Sequence, residues 1–193
     1  MRAPERRAQI LEVARRVFGS SGYHEASMED VAREAGVTKP TLYDHFPSKK
    51  DLYLALIDSD LEALHVRVRS ALEAPSGNRE RIRASFQAYF DFVDEHAAGF
   101  RLLMQEAIGA DADVRSRIGR VRAEIAKEVA DLVARESDGL LTKARAETVS
   151  FALVGMVETV ADRETGWSPA ARAEAVETLV RFAWKGITGL ADE

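Results

Sequence analysis

Apolar residues recur every three or four positions along most of this 193-residue chain, and no stretch alternates in the way that predicts a strand. The pattern predicts an all-α chain of about nine helices. Ile10, Leu11, Ala14, Val17 and Phe18 form one stripe over 4–18, ending at Gly19 and Gly22. Two short helices follow within 27–46. Further helices are expected near 48–73, 79–95, 99–108, 114–136, 143–164 and 169–189. The breaks between them lie at 74–78, 95–99, 109–113, 137–142 and 166–169, where glycine, proline and small polar residues gather. No repeat of solenoid period and no low-complexity tract interrupts the series.

The stretch SMEDVAREAGVTKPTLYDHF, 27–46, carries the most information. Ser27 is placed to cap a helix, with Asp30 reaching back three residues later as in a capping box. Met28, Val31, Ala32 and Ala35 share one face, and Gly36 supplies the left-handed stop. Thr38 then caps a second helix whose first turn holds Pro40, where the missing N–H costs nothing. Leu42 and Phe46 mark its buried side. Pro40 and Asp44 point farthest outward, Thr41 and Tyr43 lie beside them, and Lys39 and His45 are on the flanks. Two helices joined by a three-residue turn make a helix-turn-helix, whose second helix enters a DNA major groove while the first crosses the backbone. Arg6 and Arg7 at the start of the chain are candidate backbone clamps. Lys49 and Lys50 fall in the first turn of the next helix, where cations oppose the dipole, so phosphate explains them better than helix stability does.

TKPTLYDHFPSKKDLYLAL resembles the recognition helix and following helix of TetR-family transcriptional regulators, and the similarity spans roughly residues 6–57. The resemblance implies that Thr38, Thr41, Tyr43, His45 and Lys49 bind phosphates and that Lys39 and Pro40 face bases, the proline ring against a thymine methyl. Ser27 matches a position that often touches phosphate. Asp44 departs from the family pattern: a carboxylate on the reading face must either accept from a cytosine amino group or be neutralised by a cation such as Lys39. The resemblance divides the chain into a DNA-binding domain, 1–47, and a helical effector-binding and dimerisation domain, 48–193.

Charge changes this picture only locally. The chain carries net charge -5, which argues against a generally basic DNA coat protein. Residues 1–50 hold nine Lys and Arg against seven Asp and Glu, a surplus of +2. So small a surplus implies weak non-specific binding and reliance on two half-sites. With no cysteine there is no disulfide, thiol nucleophile or thiolate metal site. The N-terminus is charged rather than an apolar leader, and no run approaches a membrane span, so a cytoplasmic protein without membrane contact is expected. The four histidines lack ligand spacing, and no phosphate loop or nucleophile elbow is present. No enzyme, metal or cofactor is expected.

The segment VSFALVGMVETVA, 149–161, is apolar almost all round, so it is covered on every side. Either it lies at the centre of the chain or it joins two subunits. Val176, Leu179, Val180, Phe182, Ala183 and Ile187 in the last helix also exceed a single stripe. The resemblance favours an interface in which Val149, Ala152, Leu153, Gly155 and Val160 meet those last-helix residues in a two-fold four-helix bundle. A homodimer of this kind demands a palindromic operator. In the middle of the chain, Phe86, Tyr89, Phe90, Val93, Phe100, Leu103 and Met104, with Phe151 and Met156, are either core or the wall of an effector cavity, and the resemblance implies the cavity. QAYFDFVDEHAAGFRLLM, LVGMVE and RFAWKGI are similar to regulators of fatty-acid metabolism that respond to long-chain acyl-CoA. An apolar tunnel would equally suit a hydrophobic drug or flavonoid. His65, Glu158 and Arg163 are candidates for its polar end. Repression is the commoner family outcome and is the one expected. The alternative is a dimeric helical scaffold that binds no operator.

Overall fold

A computed structural model describes residues 3–74, 76–96, 111–137, 141–163 and 167–191, and the described residues hold eight helices and no strand. They are α1 (Ala3–Glu25), α2 (Met28–Ala35), α3 (Lys39–His45), α4 (Lys49–Glu73), α5 (Asn78–Glu95), α6 (Ala112–Glu136), α7 (Lys143–Arg163) and α8 (Pro169–Ala191). The helix expected at 99–108, with Phe100, Leu103 and Met104, lies outside the described residues. No described helix is long and apolar enough to cross a membrane.

Two compact units divide the chain, Met1–Leu61 with His96–Arg117 and Glu62–Glu95 with Ile118–Glu193. The first unit runs past residue 47 because the first turns of α4 bury Leu52, Tyr53, Leu56 and Ile57. Tyr53 meets the rings of Phe18 and Tyr23, at 5.5 and 4.8 Å between centroids. The stripe of α1 is fully buried, with Ile10 and Ala14 at 0 % exposure. α1 continues past Gly19; its break falls at Gly22, whose φ of 78° suits glycine at no steric cost. Asp60, buried on α4, pairs with Arg15 of α1.

In the second unit α5 packs against α7 and α8, and these two pack on each other. Phe86, Tyr89, Phe90 and Phe92 of α5 are buried, as are Leu153, Val154 and Val157 of α7 and Val176, Leu179 and Val180 of α8. Ion pairs bind the helix surfaces together, among them Arg172 with Asp91 (3.2 Å) and Asp94 (2.7 Å), and Arg81 with Glu136 (3.1 Å).

Candidate nucleic-acid interface and helical cavity

The short helix α3 is held by its ends and by two buried side chains. At the start of α2 the Ser27 hydroxyl accepts from the Asp30 N–H at 3.1 Å, and the Asp30 carboxylate accepts from the Ser27 N–H at 3.3 Å, so the capping box is closed. Gly36 takes φ 64°, and the Val37 N–H returns to the Ala32 carbonyl at 3.0 Å. Those bonds finish α2 and turn the chain through the three residues that separate it from α3. The Thr38 hydroxyl then caps α3 by accepting from the Thr41 N–H at 3.4 Å. Leu42, at 0 % exposure, and Phe46, at 2 %, pin the helix to the core. Ser48 caps α4 in its turn, accepting from the Asp51 N–H at 3.1 Å.

The Asp30 carboxyl is held below its ordinary pKa, first by the hydrogen bond from the Ser27 side chain and then by Arg33. A depressed carboxylate contributes stability that is present above its unfolded pKa of about 3.9 and is lost as pH falls through the folded value. Ser27→Ala is expected to lower stability by about 1 kcal/mol and to shift the acid limb of unfolding upward, read by chemical denaturation at pH 7 and below 4. An unchanged midpoint at pH 7 would mean that the cap contributes nothing.

Over this scaffold Lys39, Pro40, Tyr43 and Asp44 are exposed, and Thr41 and His45 are half-buried. Tyr43, at 45 % exposure, is one of the few large apolar side chains left open among the described residues. The Thr38 and Thr41 hydroxyls lie 2.8 Å apart. Several cations already have partners. Lys39 pairs with Glu29 of the α2 first turn. Lys49 donates to the His24 carbonyl at 3.0 Å and lies 4.7 Å from the Tyr23 ring centre. Arg7 lies over the Phe46 ring at 4.9 Å. Lys50, expected on phosphate, pairs with Asp113 at 2.7 Å and Asp111 at 3.0 Å, which raise its pKa. Two carboxylates at that range neutralise the ammonium, and the sequence spacing of more than sixty residues hid the pairing.

An open apolar groove of about 580 Å³ runs between α7 and α8. Val149, Ala152, Leu153, Gly155, Val160, Ala183 and Ile187 line it, and so do Met156, Phe182 and Gly186. Val176, Leu179 and Val180 are buried inside the unit rather than in the groove. Met156, assigned from sequence to the effector cavity, belongs to this open face. Phe151, assigned to the same cavity, is 54 % exposed and borders a hollow against Ala126 and Ala130 of α6. A helix that is apolar all round gives no angular signal by which to sort the two faces.

Phe86, Tyr89 and Phe90 lie buried on α5, with Val93 half-buried beside them. A separate apolar cavity of about 210 Å³ opens among α5, α6 and α8, walled by Ile82, Leu132, Val133, Trp184 and Ile187. Sequence reasoning missed it, because its walls come from the ends of three helices far apart in the chain. Of the candidate polar ends, His65 sits 3.2 Å from Glu128. Glu158 is taken by Arg122 through two bonds of 2.6 and 3.1 Å. The Arg163 side chain lies outside the described residues. Among the described residues no cluster could hold a metal ion.

Comparison with known proteins gives this arrangement its family. Residues 10–56 match the model of bacterial regulatory proteins of the tetR family, and 78–186 match the tetracyclin repressor-like C-terminal domain. The HTH-type transcriptional activator FasR of Mycolicibacterium smegmatis is 37 % identical over 188 residues, covering 95 % of this chain and 84 % of that protein. A TetR-like transcriptional regulator from Rhodococcus sp. RHA1 superposes with a TM-score of 0.72 at 30 % identity, over 98 % of this chain and 99 % of that one. The fold is also that of the regulator FadR from Bacillus subtilis, solved in complex with stearoyl-CoA, with a TM-score of 0.77 at 14 % identity over 93 % of this chain and 98 % of the other. The chain belongs to the TetR family of bacterial transcriptional regulators.

Proposed function

We propose that this regulator binds a palindromic operator as a homodimer and changes its DNA affinity when a hydrophobic small molecule, a long-chain acyl-CoA by class, binds its helical domain. The observation that carries the DNA half is α3, capped by Thr38, anchored by Leu42 and presenting Lys39, Pro40, Tyr43 and Asp44 to solvent. The apolar groove between α7 and α8 supports the homodimer, since an apolar face with Phe182 at 72 % exposure is covered in a stable assembly. The cavity beside Trp184 supports an apolar effector. At about 210 Å³ it is smaller than the 300–1,000 Å³ clefts of drug-sized ligands, and so suits one end of an extended chain. The stearoyl-CoA held by the Bacillus fold neighbour belongs to the same chemical class.

Repression is the expected sign; the activator FasR, 37 % identical, favours activation as a second reading. Both follow from one coupling, because an effector that prefers either DNA-competent or DNA-incompetent protein shifts the balance in that direction. Selection of bound duplexes from a random DNA pool at near-physiological salt, with and without stearoyl-CoA, tests the proposal. An enriched palindrome whose recovery changes with stearoyl-CoA supports it. No enrichment in either arm leaves the scaffold reading, and a reporter placed behind the enriched site gives the sign.

Trp184 offers a direct readout of the cavity. Stearoyl-CoA is expected to change the tryptophan emission of the wild type and to have little effect on Trp184→Phe, which leaves Trp167 as the remaining indole. An equal change in both proteins would place the ligand elsewhere.

A further inference from the structure

Asp44 is exposed on α3, one helical turn after Pro40 and therefore on the same outward ridge. Three observations make it anomalous. First, it lies in the last turn of α3, where a negative charge opposes the helix dipole and costs stability. Second, it stands on the face that meets the phosphate-lined groove, where a carboxylate repels the backbone. Third, no described residue neutralises it. Asp44 makes no hydrogen bond or ion pair with any described side chain. The cations around the motif are engaged elsewhere: Lys39 with Glu29, Arg33 with Asp30, Lys50 with Asp111 and Asp113, and Lys49 on the His24 carbonyl. Of the two roles open to this carboxylate, internal neutralisation by Lys39 is the one the geometry does not support.

We infer that Asp44 is a specificity-determining residue that reads a cytosine in each operator half-site, accepting a hydrogen bond from the exocyclic amino group and rejecting guanine and thymine. The inference rests on operator binding as proposed above. An ionised carboxylate only accepts, and in the major groove the cytosine edge offers a donor. Guanine presents two acceptors, N7 and O6, and thymine presents O4 beside its methyl group, so either opposes two negative groups without a proton between them. Adenine offers N6 as a donor but places the N7 acceptor beside it, a pattern that suits an amide better than a carboxylate. The residue thus selects as much by exclusion as by attraction. Its repulsion of phosphate also lowers affinity for every other sequence, which fits a chain whose first 50 residues carry a surplus of only +2.

Asparagine and alanine at this position separate the roles. The Asn side chain keeps the size, removes the charge and presents the donor and acceptor that match adenine N7 and N6; alanine presents neither. Full-length wild type, Asp44→Asn and Asp44→Ala are each taken through selection from the same random DNA pool, and the enriched duplexes are then measured with single-base changes. The wild type is expected to demand cytosine at one position per half-site by about tenfold. Asp44→Asn is expected to move that preference to adenine, and Asp44→Ala to flatten that column alone. Both variants should bind random-sequence DNA more tightly than the wild type, with unchanged or slightly raised melting temperatures because the dipole conflict is relieved. Three identical enriched sequences would overturn the role of Asp44 while leaving operator binding standing. A wild type that enriches nothing would overturn both.

Discussion

Replacing Phe182 by aspartate is expected to convert the protein to a monomer and to remove tight operator binding with it. Phe182 is 72 % exposed within the chain, so its loss leaves the packing of α8 inside its own unit untouched. Burying a phenylalanine contributes about 1.5–3 kcal/mol, and two-fold symmetry places each substitution twice in the contact. The dimer then loses roughly 3–6 kcal/mol, a hundredfold or more in dissociation constant, before the cost of desolvating two carboxylates is added. Sedimentation velocity reads the change of mass, and far-UV circular dichroism confirms that the helices persist. A Phe182→Asp protein that still sediments at twice the chain mass would show that the α7–α8 groove is not the interface.

The glycines of that groove leave room for the same contact. A methyl group added at Gly155 or Gly186 would meet nothing within 4 Å inside the chain, although a glycine inside a helix costs about 1 kcal/mol relative to alanine. Packing within the subunit therefore gives no reason for either glycine. Close approach by a second copy of α7 and α8 in the proposed dimer would supply one; Gly119 of α6 and Gly189 of α8, outside the groove, are equally uncrowded and need another reason.

The elements governed by local chemistry were legible in the sequence. Ser27, Gly36, Thr38 and Ser48 set helix ends by bonds spanning a few residues, and these ends fall within a residue or two of where the pattern placed them. The stripe of α1 was equally plain, because a helix with one buried face has a single period to read. What escaped was set by distance along the chain. The partnership of Lys50 with Asp111 and Asp113, of Arg15 with Asp60 and of Glu158 with Arg122 joins residues between 36 and 63 positions apart. Nothing in the local pattern chooses among the many opposite charges available at that range. The placing of Met156 on an open groove and of Phe151 at a surface hollow was hidden for a different reason: on α7 apolar residues point in every direction, so periodicity cannot tell an inward face from an outward one.

Tyr43→Ala is expected to abolish operator recognition with the fold intact. Its side chain is 45 % exposed, and substitutions at such sites usually change stability by no more than about 0.5 kcal/mol. A hydrogen bond to a charged group is worth about 1.5–3 kcal/mol, and the dimer presents the tyrosine twice, so operator affinity should fall by at least a hundredfold. Because the tyrosine is neutral, the dependence of affinity on salt should keep its slope, whereas Lys49→Ala should flatten it by about one counterion for each half-site. Tyr43→Phe divides the effect further, since it keeps the ring and loses only the hydroxyl. Fluorescence anisotropy on the selected duplex at several salt concentrations measures all three variants. If Tyr43→Phe binds as well as the wild type while Tyr43→Ala fails, the contact is made by the ring and not by a hydrogen bond to phosphate. If Tyr43→Ala binds normally, α3 does not enter the groove by this face, and the reading of Asp44 falls with it.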